Sequence, residues 1–472
     1  MGSYDLLIRN GIVVTEAGVG MADVAVVDGA IVEVEPELVG TGREEIDATG
    51  LHVFPGVIDA HVHFNEPGRT DWEGWASGTR AVAAGGGTCV FEMPLNAHPP
   101  TLDAASFEAK RAAAEAQAVT DFALWGGLVP GNRDHLPELA ESGAIGFKAF
   151  MSQSGTDDFP AADDLTLVEG MATAAELGKI VAVHAESDSL TSRLAARAVA
   201  EGRTSVRDYL ASRPVLAEVE AIGRAILFAE ETGCALHVVH VSSGAGVALI
   251  AAARTRGVDV SCETCPHYLV FSEEDVERLG AVAKCAPPIR SAAEREALWS
   301  SLLAGDISIV ASDHSPSPPY LKEGADFFRI WGGISGCQST LSAMLSEGHH
   351  ARGVPLSVVA AVTAGAVARR FALPRKGRIS VGADADLALV DLAGSFVLAA
   401  DELLYRHPQS PYAGRKFSGR VVRTVVRGST VFLNGRATPT ASGKLVRPGS
   451  HDPSAAGFAR HDLVQAHRCP PI

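Results

Sequence analysis

The feature that most limits the fold is an alternation that begins after Gly50: short apolar runs, each ending in polar residues, separated by stretches rich in Ala, Leu and Glu. Eight such runs can be counted: VFPGVIDAHVHF, GTCVFEMP, DFALWGGL, GAIGFKAF, KIVAVHAE, ALHVVHVS, VDVSCETCP and ISIVASDHS. The stretches between them, such as DAASFEAKRAAAEAQ and EVEAIGRAILFAEETG, are good helix formers with apolar residues near helical spacing. Strands joined by helical crossovers pair in parallel, and eight of them close into an α/β fold of the (β/α)8 TIM type, whose reactive groups sit at the C-terminal strand ends.

The flanks have a different texture. From Tyr4 to about Glu37 the chain reads as short β, DLLIRNGIVV then ADVAVVDGAIVEV, with Asn10-Gly11 and Asp28-Gly29 suited to tight turns. Short β returns from about Lys376, in GRISVGADADLALVDL and GRVVRTVVRGSTVFLNG. The expected division is a small discontinuous β-sandwich domain from 1–52 and 376–447, a barrel over 53–375, and a polar, Pro-bearing arm over 448–472. The segment MSQSGTDDFP, after the fourth run, is placed to act as a lid.

A formal charge of −16 argues against nucleic acid or an anionic membrane surface as partner, because phosphates would be repelled. The N-terminal MGSYDLLIRNG lacks the pattern of a signal peptide, and no apolar run reaches membrane-span length, so a cytoplasmic protein is expected. Seven scattered cysteines do not form a disulfide framework, and the single Cys262-x-x-Cys265 has no second pair to complete a structural zinc site.

Chemistry concentrates at the ends of the apolar runs. His61 and His63 project to one face of the first, since strand side chains alternate. Lys148, His184, His240 and Asp313 occupy the equivalent place on four others, and such ends converge in a barrel. Imidazoles and a carboxylate brought together in this way are metal donors. Lys148 lies inside an apolar strand, where an unpaired ammonium would cost several kcal/mol; it is therefore neutral, paired with Glu92 or Asp313, or modified. A neutral amine can add carbon dioxide to give a carbamate able to bridge two cations. Asp313 can bind metal and also accept a proton, or it can cap the turn that follows. His267 and His314 are read as hydrogen-bonding and packing residues beside the site.

These residues, in the order GVIDAHVHFNEPGRTDWEGW, EMPLN, GFKAFM, AVHAES, HVVHVSS, ETCPHY, AKCAPPIR, SDHSP and WGGISG, resemble the amidohydrolase superfamily, in particular its cyclic amidohydrolases and among them the allantoinase family. The resemblance runs from about Gly56 to Gly336, and the flanking sheets resemble the family's small β domain. It implies two divalent metal ions, zinc first and manganese, cobalt or iron as alternatives. His61 and His63 would hold one, His184 and His240 the other, with N-carboxylated Lys148 bridging and Asp313 on the first. A hydroxide between the metals would open the ring of allantoin to allantoate, Asp313 passing the proton to the departing nitrogen. By the same resemblance Ser315, Cys285, Gly333 and Asn96 lie near the substrate, and the chain assembles as a homotetramer.

Two departures guide the substrate reading. Dihydroorotases have arginine where this chain has Asn65, so a substrate carboxylate would lose its bidentate partner. Hydantoinases and dihydropyrimidinases carry a tyrosine where this chain has Gln153. A hydantoinase-type activity remains the enzymatic alternative, and a non-catalytic assembly protein like the collapsin-response mediators the alternative from another class.

Overall fold

Two β-strands separated by a single residue join the two halves of the architecture. In the computed structural model, which describes residues 2–449, His52–Pro55 belongs to one sheet and Val57–Val62 to another. Gly56 stands between them, and a Cβ there would lie 2.2 Å from the Thr88 side chain, so the crossing needs glycine. One sheet's strand therefore ends at Pro55 and the other's begins at Val57.

The first sheet has nine strands. Gly2–Thr15, Gly18–Val27, Ala30–Glu35, Gly40–Asp47 and His52–Pro55 come from the beginning of the chain. Leu387–Val397, Lys416–Val426, Ser429–Leu433 and Arg436–Ala437 come from its end. The halves meet where Leu387–Val397 pairs antiparallel with His52–Pro55, Leu387 opposite Pro55 and Val390 opposite His52. Leu6, Ile8, Val24, Val26, Val53, Leu387, Leu389 and Val425 share the apolar layer beneath this sheet. Asp28-Gly29 makes the expected turn, both residues at positive φ. Asn10-Gly11 does not turn the chain: Gly2–Thr15 is one strand, and the pair forms a bulge within it, Asn10 at φ 59° and its N–H donating to Asp23 at 2.8 Å.

The barrel strands are β1 Val57–Val62, β2 Gly87–Glu92, β3 Asp121–Leu124 (extended by Gly126–Gly127), β4 Phe147–Phe150, β5 Val181–His184, β6 Leu236–Val238, β7 Val260–Thr264 and β8 Ile309–Val310. All neighbouring pairs within its two sheets are parallel. The ring closes just beyond β8, where His314 bridges Val62 and the Ser312 N–H donates to Asp59 at 2.9 Å. Period-two alternation sorts the side chains. Phe147, Ala149, Val181 and Val183 pack outward with Leu167 and Met171 of the helix Asp164–Glu176, while Phe150 and Ala182 face the lumen with Phe91, Trp125 and Phe371. Helix boundaries follow local chemistry: Asp103 and Ser106 form a capping box ahead of Ala104–Gln117, and Gly233 at φ 68° ends Val215–Thr232.

Lys376 ties the two parts together. Its buried Nζ lies 2.5 Å from Asp121 of β3, 2.6 Å from Asp386 and 3.0 Å from Asp384, and Arg427 also pairs with Asp121. The three carboxylates are close enough to hold a cation. The lysine ammonium is that cation. Lys444–Val446 runs back along β3 through Phe122 N to Lys444 O (3.0 Å) and Val446 N to Phe122 O (2.7 Å). Of the expected arm over 448–472, only its first two residues are among those described. Among the described residues no helix is long and apolar enough to cross a membrane, and the six described cysteines, Cys262 and Cys265 among them, are unpaired and buried.

Candidate active site

Because every barrel strand runs the same way, residues at the strand ends gather on one face, and the six metal-type residues named from the sequence do so. His61 Nε2 and His63 Nε2 lie 3.2 and 3.4 Å from the same oxygen, Oδ1 of Asp313. These three side chains form a cluster tight enough to hold one metal ion. Opposite them, His184 Nδ1 is 3.0 Å from His240 Nε2, and the His61 and His240 rings are 5.4 Å apart. Asp313 meets imidazoles rather than capping the turn after it.

Lys148 is fully buried, and its Nζ sits 3.9 Å from the Phe150 ring centre and 3.4 Å from the Ala149 carbonyl. Among the described residues no carboxylate lies within ion-pair distance of it. Glu92 pairs instead with Lys110 at 3.5 Å. Burial pulls the Lys148 amine down to about 7, which places its neutral form within reach at physiological pH.

The electrostatics favour donors at three of the four imidazoles. Burial pushes His63 down to about 4 and His184 and His240 below their ordinary values, so these rings are neutral with lone pairs to offer. Burial alone would raise Asp313, but His61, His63 and His240 outweigh it and hold the carboxyl well below its usual range. The backbone is also unusual here: Asn65, Asn96, His240 and Asp313 all have positive φ, at 65°, 66°, 41° and 46°. Each such conformation costs on the order of 1–3 kcal/mol for a residue other than glycine, a kind of strain that concentrates at functional sites.

Two carboxylates escaped the sequence reading. Glu263 of β7 takes His61 Nδ1 at 2.5 Å and His237 Nε2 at 3.1 Å, fixing the His61 ring so that Nε2 faces Asp313. Glu186 takes His184 Nε2 at 2.9 Å and is itself held by Arg213, leaving Nδ1 of His184 to face the site. The available signal was a carboxylate inside or just beyond an apolar strand, in VSCETC and VHAES.

The cleft above these groups is lined by Asn96, Cys285, Ser315 and Gly333, four of the five substrate candidates, and by Gln153 and Ser154 of the expected lid segment. Asn96 also points its amide at His63 Nδ1, 3.4 Å away. The fifth candidate, Asn65, is not brought to the cleft. Its side chain is fully buried, with Nδ2 3.4 Å from the Pro316 carbonyl. The backbone at Asn65 is left-handed, φ 65°, and its amide lies in the wall. Among the described lining residues there is no lysine or arginine. His314 stands aside as expected, accepting from Gly336 N–H at 3.1 Å.

Comparison with known proteins agrees with this geometry. A family model described as the amidohydrolase family matches residues 52–431. An allantoinase of Rubrobacter xylanophilus is 62% identical over 448 residues, 95% of this chain and 98% of that protein. Allantoinases of Solibacter usitatus and Deinococcus radiodurans are 57% and 56% identical, covering 96% and 95% of this chain and 99% and 100% of their own. Among solved structures, an L-hydantoinase (dihydropyrimidinase) from Arthrobacter aurescens superposes with a TM-score of 0.92 at 35% identity, over 94% of this chain and 100% of that one. A dihydropyrimidinase from Brevibacillus agri superposes with a TM-score of 0.88 at 31% identity, over 94% of this chain and 99% of its own. With the donor-lined barrel mouth, the family match and this level of identity along nearly the whole chain, the protein belongs to the amidohydrolase family, in its allantoinase branch.

Proposed function

We propose that this chain opens the ring of allantoin by hydrolysis, giving allantoate, at a binuclear divalent-metal centre. His61, His63 and Asp313 would hold one ion and His184 and His240 the other, with Lys148 as a carbamate between them. The observation that carries this reading is a fully buried lysine with no carboxylate partner among the described residues, beneath a cleft lined by His61, His63, His184, His240 and Asp313 and carrying no lysine or arginine in its own lining. The buried amine and the converging imidazoles fit a pair of hard-to-intermediate cations such as zinc, with manganese, cobalt and iron also compatible.

When bound, the ions supply a water acidic enough to be deprotonated at neutral pH and an electrophile for the amide carbonyl. The chain does the rest. Both imidazole contacts of Asp313 fall on Oδ1, so Oδ2 is the oxygen that takes the proton of the attacking water and passes it to the departing ring nitrogen. Glu263 and Glu186 fix the tautomers of His61 and His184. Ser315, Cys285, Gly333, Asn96 and Gln153 offer hydroxyl, thiol, amide and backbone groups to an uncharged ureide, and the lining of this cleft has no lysine or arginine to pair with a substrate carboxylate. Buried, unpaired cysteines favour a reducing, cytoplasmic setting, and family resemblance favours a homotetramer.

The test is metal content and ring-opening rate on one purified sample, with allantoin, hydantoin, dihydrouracil and dihydroorotate as substrates. Close to two ions per chain and a clear preference for allantoin are expected. Good hydantoin turnover without allantoin opening would replace the substrate assignment, and an ion-free protein inactive on added metal would point to the assembly-protein alternative.

A further inference from the structure

Beside the metal-type residues, one wall of the cleft is made by Trp331, Gly332 and Gly333. This wall is held in an unusual way. Lys322 Nζ donates to the carbonyls of Gly333 at 2.6 Å, Trp331 at 2.9 Å and Ala281 at 3.2 Å. Lys284 Nζ donates to the carbonyls of Ile330 at 2.5 Å and Phe328 at 3.3 Å, with the Tyr209 ring centre 4.5 Å away. Four carbonyls of the six-residue segment 328–333 are thus gathered by two lysines, and among the described residues neither lysine has a carboxylate within ion-pair distance. Three acceptors around Lys322 match the three N–H donors of its charged form, while burial pulls this amine, like Lys284, down to about 7. Burying an ammonium against neutral dipoles alone is costly, and an apolar side chain would fill the same volume more cheaply.

The segment so held is pressed onto the cleft. A Cβ at Gly333 would lie 2.3 Å from the Ser315 carbonyl, Gly333 N–H donates to Lys284 O at 2.8 Å, and Ser315 itself lines the site. We propose that Lys284 and Lys322 are positioning residues for the substrate: by holding the carbonyls of the Phe328–Gly333 wall they set its distance from the metal-type residues, and so set substrate affinity rather than the rate of the chemical step. This rests on the ring-opening function proposed above.

The experiment compares the full-length metal-loaded enzyme with Lys322→Met, Lys284→Met and Lys322→Arg, measuring metal content, kcat and KM with allantoin, and amide hydrogen exchange across 328–334. Expected for the Met variants are exchange at least about tenfold faster in that segment and a KM raised about tenfold with kcat within about threefold. Metal content should be unchanged, and the Arg variant should recover most of the KM. Unchanged exchange in the segment would overturn the proposal, as would a fall in kcat at constant KM. If neither Met variant folds, the lysines serve the fold as a whole and the proposal is likewise overturned. Exchange is read without substrate, so a wild-type enzyme inactive on allantoin would sink the functional assignment and leave this arm standing.

Discussion

Two buried lysines show how differently one side chain can be used in the same molecule. Lys376, at the junction of sheet and barrel, is ringed by Asp121, Asp384 and Asp386. Lys148, in the barrel lumen, has no carboxylate within ion-pair distance among the described residues. Burial depresses both amines, but the three carboxylates overcome it at Lys376 and push that group above its ordinary range, whereas Lys148 falls to about 7. A buried charge ringed by carboxylates, or by several carbonyls as at Lys322, is a fastening; Lys148, with a single carbonyl at 3.4 Å, is left able to take another partner.

The contrast is broken most severely at Lys148. Lys148→Ala should lower ring-opening activity by on the order of 10³ or more, since it removes the group proposed to bridge the ions. Its thermal midpoint should stay close to wild type, and short carboxylic acids with metal should restore part of the rate. Full activity in the unrescued variant would contradict the bridging role. At Lys376 the outcome should be reversed. Lys376→Met leaves Asp121 to Arg427 and Asp384 to Arg375 but takes the cation from buried Asp386, and should cost about 3–5 kcal/mol in denaturant unfolding, while the folded fraction retains metal and kcat.

The sign of the pH effect sharpens the same contrast. A lysine whose folded pKa is raised contributes stability that is fully present below its unfolded value of about 10.4 and is lost as pH climbs through the higher folded value. Midpoints measured from about pH 6 to 9 should therefore show no change that Lys376→Met removes. Smaller effects belong to residues that aim the ligands. Glu263→Gln should weaken metal binding by about 10–100-fold, read by competition with a chelator. Asn96→Ala, which removes the amide facing His63 Nδ1, should change metal affinity or KM by no more than about threefold, as for one weak contact; a loss in metal affinity as large as that of Glu263→Gln would make Asn96 an aiming residue for His63.

How much of this was legible beforehand depended on whether a residue's type announced its place. His61, His63, Lys148, His184, His240 and Asp313 stood out because metal donors recur at the same point of a strand-helix alternation. Glu263 and Glu186 did not, because a glutamate near a strand end also reads as an ordinary polar terminus, and only the fold puts each against an imidazole. Asn10-Gly11 has the composition of a turn, yet the left-handed backbone that suits a hairpin suits a bulge equally, and the pairing partner decides. Asn65 was legible as a missing arginine. That its own amide faces Pro316 inside the wall came from a backbone angle that no sequence pattern reports.

The meeting of His52–Pro55 with Leu387–Val397 has a consequence for synthesis on the ribosome. The early strands emerge first, but the strand that covers this edge is made only after the whole barrel. Until then the nascent chain carries an unpaired sheet edge directly upstream of β1, the kind of edge that recruits wrong partners. Production of the protein should therefore depend on how that edge is shielded during elongation, and chains cut short before Leu387 should aggregate even though every barrel strand is complete.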